Sequence, residues 1–65
     1  MRYQIKVTQQ SRDRFYDKRL HKKRYRRRTL RRVVYAKSPD QALLTFRQNY
    51  EEDPRWLLVG SEVVR

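Results

Sequence analysis

Residues 12–32, RDRFYDKRLHKKRYRRRTLRR, limit how this chain can fold more than any other feature, because twelve of their side chains are Lys or Arg. Cations at that density are not buried without partners, and the stretch offers only Asp13 and Asp17. It contains no Gly, Pro or Ser to loosen it. About a third of a 65-residue chain is thereby withheld from the core. A chain of this length already buries only about 60% of the surface its unfolded form exposes, so the core has to be small and made from the flanks. Those flanks are almost neutral: the segment carries twelve basic and two acidic side chains, +10, whereas the other 44 residues carry six and five, +1.

The flanks read as a small α+β domain. MRYQIKVT alternates without error, with Met1, Tyr3, Ile5 and Val7 on one side and Arg2, Gln4, Lys6 and Thr8 on the other, so residues 1–8 are expected to form a half-buried strand. QQS supplies a polar exit. A second strand is expected over 29–37, where TLRRVVYAK is rich in β-branched and aromatic residues. A helix over 38–52 follows: Ser38 is a good N-cap, Pro39 suits the first helical position, Gln41 completes a capping box and Asp40 faces the positive end of the helix dipole. Ala42, Leu43, Phe46 and Tyr50 make its apolar stripe. Pro54 stops it. RWLLVGSEVVR gives a third strand over 55–64, with a bulge or bend at Gly60-Ser61.

The expected architecture is therefore one ββαβ domain over residues 1–65. It is a three-stranded sheet with one helix on it, the strand-helix-strand part forming a right-handed crossover. Its core would draw on Tyr3, Ile5, Val7, Val34, Ala36, Leu43, Phe46, Leu57 and Val59. The junction VVYAKSPDQALLTF resembles the strand-to-capped-helix step of many small α+β modules, including some ribosomal proteins of strand-strand-helix-strand order. Residues 9–28 become a long extension between the first two strands. As a helix this extension would gather Tyr16 and Leu20 on one side, and as a long hairpin it would turn near residues 17–24. As a disordered loop it would order only on a partner, and its high charge and low apolar content favour partial disorder in the free chain.

A concentration of like charge destabilises a compact state, most of all at low salt, and is relieved against a polyanion. Arg outnumbers Lys within the segment, and Arg presents a planar fork that bonds phosphate bidentately and stacks on bases. Phe15, Tyr16 and Tyr25 are interleaved with the cations, the composition that grips single-stranded or looped nucleic acid. The expected contacts to nucleic acid are Arg12, Arg14, Phe15, Tyr16, Lys18, Arg19, Lys22, Lys23, Arg24, Tyr25, Arg26, Arg27, Arg28, Arg31 and Arg32. RNA is favoured over DNA because no helix-turn-helix, zinc-finger spacing or heptad-linked basic region is visible. The leading expectation is an RNA-binding, ribosome- or ribonucleoprotein-associated protein. The alternatives are a small regulatory or viral-type protein acting on an acidic protein surface, for which Arg55 and Trp56 are candidate contacts, and an accessory protein that binds duplex DNA.

Other chemistry is poorly supported. The sole histidine, His21, sits among cations with no acid nearer than Asp17 and no orienting partner for general-base work. Glu51, Glu52 and Asp53 cluster, but without the spacing of a calcium loop they read as a solvated helix end, held toward the basic segment by attraction within the chain. The absence of Cys removes disulfides and thiolate metal sites and fits a reducing compartment. No run of about 18 apolar residues suggests a membrane span, and the N-terminus lacks a signal-peptide core. No catalytic residue, cofactor or metal is expected, the membrane is not an expected partner, and the location expected is intracellular and cytoplasmic, with nucleoid or nucleus as alternatives.

Overall fold

The computed structural model describes residues 1–64. The strands are β1 (Arg2–Ser11), β2 (Phe15–Asp17), β3 (Lys22–Arg24), β4 (Arg27–Tyr35) and β5 (Trp56–Val64), with helix α1 (Pro39–Gln48) between β4 and β5. The class is mixed α+β, as expected, but the order is not simple ββαβ. A three-stranded sheet in the order β4-β1-β5 is accompanied by a separate two-stranded β2-β3 hairpin inserted between β1 and β4. β1 runs antiparallel to both neighbours, so β4 and β5 run the same way on either side of it and α1 connects them.

Of the three conformations expected for the arm over 9–28, the structure takes the hairpin, turning within residues 17–24, in place of partial disorder. The β1-β4 ladder continues to Gln9↔Arg28 and Gln10↔Arg27, so the polar QQS is not an exit from β1 but its last turn of pleat. Beyond it, Ser11 bends the chain while keeping β4 attached: its N–H donates to the Arg26 carbonyl at 2.8 Å and its Oγ accepts from the Arg26 N–H at 2.9 Å. The small hairpin then pairs Phe15↔Arg24, Tyr16↔Lys23 and Asp17↔Lys22. At its tip the Asp17 carboxylate accepts the Arg19 N–H at 2.9 Å, the side-chain turn that Asp readily makes. His21 adopts φ 51° there, in the left-handed region where His is more tolerated than most residues. Extended strands suit crowded cations, since alternation sends neighbours to opposite faces and leaves about 6–7 Å between successive side chains on one face.

The core forms where α1 crosses the sheet. Ile5, Val7, Ala42 and Phe46 are buried, and Tyr3, Leu30, Val34, Ala36, Leu43, Tyr50 and Val63 pack against them. Two expected members are absent. Leu57 and Val59 are 42% and 49% exposed because the β1-β5 register slips between Thr8 and Gln9. Thr8 pairs with Gly60 and Gln9 with Leu58, leaving Val59 as the extra residue. The irregularity thus falls beside Gly60, as the sequence suggested, and it reverses the alternation on β5: Val63 and Ser61 share the helix side with Ile5 and Val7, Leu58 and Trp56 take that side beyond the bulge, and Leu57 turns away.

The helix starts as its sequence dictates. Ser38 Oγ accepts the Gln41 N–H at 3.2 Å, Pro39 occupies the first turn and Asp40 lies at the positive end of the dipole. It ends at Gln48, not residue 52, with Asn49 as C-cap. The Tyr50 N–H closes on the Arg47 carbonyl at 3.4 Å, a tightened last turn. Continuing would have set Glu51, Glu52 and Asp53 at the negative end of the dipole. Small boundary differences elsewhere follow from pairing, with β4 running over 27–35 in place of 29–37 and β5 beginning at Trp56.

Truncating Ile5 to Ala is expected to destabilise the fold by about 2–5 kcal/mol, whereas Val59→Lys, on an exposed bulge of an edge strand, should cost less than about 0.5 kcal/mol. Chemical denaturation monitored by circular dichroism checks both. Equal losses would contradict the register of β5.

Candidate nucleic-acid interface

The site is built on the extended two-stranded ribbon formed by the outer half of β1 and the start of β4 and, past a break at residues 12–14 and 25–26, by the β2-β3 hairpin. With the helix on one sheet face, the Cα trace measures 48 × 23 × 13 Å, so the ribbon extends well past the core.

Alternation divides its side chains between two faces, and a chain of contacts identifies which is which. Arg28 pairs with Gln9, which is only 4% exposed and lies on the helix side. The Gln9 side chain donates from Nε2 to the Tyr50 hydroxyl at 3.0 Å and accepts at Oε1 from Arg28 Nε at 2.7 Å. The Arg28 guanidinium lies 4.2 Å from the centroid of the Trp56 ring, and its Nη2 is 3.9 Å from Asp53 Oδ2. Arg26, two residues back, lies 4.4 Å from the centroid of the Phe15 ring. Arg24, the cross-strand partner of Phe15, reaches Asp17 Oδ2 at 3.3 Å. Arg24, Arg26 and Arg28 therefore lie along the helix side.

Most of the acid near the ribbon gathers on this side as well. The loop after α1 brings Glu52 to 3.8 Å from Arg12 Nη2, and the Asp53 backbone carbonyl accepts from Arg12 Nε at 3.1 Å. Asp53 also accepts the Arg55 N–H at 2.6 Å, while the Arg55 carbonyl accepts the Arg12 N–H at 3.0 Å. The acidic loop is thus fastened to the base of the ribbon by Arg12 and Arg28, as intrachain attraction suggested. These pairs are partly exposed and each contributes at most about 1 kcal/mol; together with the Gln9 network they fix where the ribbon leaves the core.

The expected contacts accordingly separate. Arg12, Arg24 and Arg28 meet carboxylates, Arg26 covers Phe15, and Phe15 and Trp56 each present one ring face to a guanidinium. Trp56 is half-buried beside Ser11, and Arg55 holds the loop through its backbone. Nine of the twelve cations in residues 12–32 come within 4.0 Å of no carboxylate among the described residues. Arg14, Lys18, Arg19, Lys22, Lys23, Arg27, Arg31 and Arg32 are among these and are exposed. Tyr16 and Tyr25 are 54% and 45% exposed.

Two participants escaped the sequence reading. Gln9 passed for a loop residue, since its partners Arg28 and Tyr50 lie 19 and 41 residues away. Tyr35, at 75% exposed, passed for an ordinary strand residue, although an alternation count from Val34 points it away from the helix. Among the described residues no group of three or more His, Cys, Asp or Glu is arranged to hold a metal ion. No helix among them is long and apolar enough to cross a membrane.

Removing the Tyr50 hydroxyl leaves Gln9 Nε2 without its acceptor at a buried site, so Tyr50→Phe should lower stability by about 1–3 kcal/mol; a denaturant midpoint unchanged from that of the parent would show the bond to be dispensable. Comparison of the chain with protein-family models, with curated proteins and with solved structures yields no match.

Proposed function

We propose that this chain is a non-enzymatic nucleic-acid-binding protein that lays its basic ribbon along a phosphodiester backbone, with RNA the preferred ligand and a ribosomal or other ribonucleoprotein particle the setting. One observation carries the reading: nine of the twelve cations of residues 12–32 lack a carboxylate within 4.0 Å among the described residues, although the chain supplies carboxylates to the other three. Charges left unmatched on an extended frame repel one another and gain from an external polyanion. Arg forks and exposed Tyr rings beside them supply phosphate bonding and base stacking in one surface.

A second reading has specific support. A two-stranded antiparallel ribbon is one of the shapes admitted by the major groove of B-DNA, about 12 Å wide, so the hairpin makes duplex DNA a stronger rival than the sequence did. The two differ in what the tyrosines do, because stacking needs bases that are out of a duplex.

Binding is expected to weaken steeply with salt, log K falling against log salt by about 0.7 per phosphate neutralised on a single strand and about 0.9 on B-DNA. Lys18→Gln and Arg19→Gln at the exposed tip should flatten that slope without changing the melting temperature appreciably. A titration of labelled RNA with a slope near zero rejects the proposal, and competition by unlabelled duplex DNA at equal nucleotide concentration ranks the two readings.

A further inference from the structure

The division of the ribbon into two faces has a consequence for how a ligand sits on it. The even series Arg24, Arg26 and Arg28 lies on the helix side, held by Asp17, Phe15, Gln9, Trp56 and Asp53. On β4 the odd series Arg27, Thr29, Arg31, Val33 and Tyr35 lies on the opposite face, which no helix covers; on β3 Lys23 faces away from Arg24, and Tyr25 lies in the break between the two strands. Tyr16 joins Lys23 as its partner, and Lys6 joins the open face of β4 as the partner of Arg31. Among the described strand residues of the three-stranded sheet, the one acid on this face is Glu62, and Lys6 reaches it at 3.6 Å. Lys23, Arg27 and Arg31 approach no carboxylate within 4.0 Å among the described residues.

We infer that this open face, and not the helix side, is the binding surface, and that its ligand is a single-stranded stretch of nucleic acid gripped at the outer end by Tyr16 and Tyr25. The inference rests on the nucleic-acid reading above and adds to it a face, a strandedness and a role for Tyr35. Tyr16 stands opposite Lys23 in the hairpin, and Tyr25 follows Lys23 by two residues, just past the last paired residue of β3. Both rings are exposed, so an unpaired base can stack on them with Lys23 beside it for the phosphate. Arg27 and Arg31 continue the cationic row toward the core. Tyr35, 75% exposed, closes the row at the far end of β4, roughly 26 Å from Arg27 at the rise of an extended strand, and offers a second stacking platform for the same nucleic-acid strand. A duplex gains little from these rings, because its bases already stack on one another.

The test measures fluorescence anisotropy of a labelled oligouridine and of a duplex of equal length with the full chain. Lys23→Gln with Arg27→Gln removes two charges from the open face; Lys22→Gln with Arg24→Gln removes two from the helix side. The first pair should weaken oligouridine binding at least tenfold and the second less than threefold. Tyr16→Leu with Tyr25→Leu should weaken it about tenfold or more while leaving the salt slope and duplex binding unchanged, and Tyr35→Leu should give a smaller loss of the same kind. Thermal melts of these exposed-site variants should match the parent. Equal losses from the two charge pairs overturn the assignment of the face while leaving nucleic-acid binding intact. Tyrosine variants that bind oligouridine like the parent, or that lose duplex binding in step, overturn the single-strand grip. Failure of the parent chain to bind either oligonucleotide removes the functional reading itself.

Discussion

The double pairing of β1 is the constraint on which the rest depends. Seven of its ten residues, 4–10, have partners on both sides, β4 along nearly the whole strand and β5 across a bulge. Since β1 is the only strand both others touch, it supplies the buried pair Ile5 and Val7 to the core and, through Gln9 and Ser11, the root of the ribbon. Core and ribbon are thus successive parts of one ladder. A chain with so few buried side chains gains from this economy, because most residues of β1 are used twice.

That continuity also explains how a +10 segment can be ordered. Local propensity does not do it, and neither does a hydrophobic face. The ribbon is ordered by hydrogen bonding to a strand already fixed by the core, and by spending part of its charge on contacts within the molecule: Arg12 on Glu52, Arg24 on Asp17, Arg28 on Asp53 and Trp56, Arg26 on Phe15. These contacts lie along the helix side, where the loop after α1 supplies acid. The open side keeps its cations. A segment uniform in composition becomes two-sided once folded, and the sidedness comes from where an acidic loop 20 to 40 residues away happens to land.

This distinguishes what could be read in the sequence from what could not. The alternation of residues 1–8 and the cap at Ser38-Pro39-Asp40-Gln41 are local signals and describe the structure well. Alternation on β5 is readable only up to a phase, which puts Leu57 and Val59 in the expected core, whereas the residue that bulges is chosen by the partner strand. Gln9 was unreadable for a related reason: a buried amide is sensible only when its distant partners Arg28 and Tyr50 are known. The expected end of α1 at residue 52 rests on Pro54, whereas the helix closes at Gln48, before three acids would stand at its negative pole. The arm had no period to read at all. For the site, the kinds of side chain were legible and their sidedness was not.

The sheet order β4-β1-β5 leaves β4 with an unpaired outer rim. A long, regular rim of this kind ordinarily invites a second molecule to zip on, strand to strand. Here a second copy approaching along β4 brings the fringe of Arg27, Arg28, Arg31 and Arg32 against an equally cationic one. The guanidinium fringe therefore acts as a guard against self-assembly, and because screening shortens from about 10 Å at 0.1 M salt to about 3 Å at 1 M, it is a guard that thins as ionic strength rises.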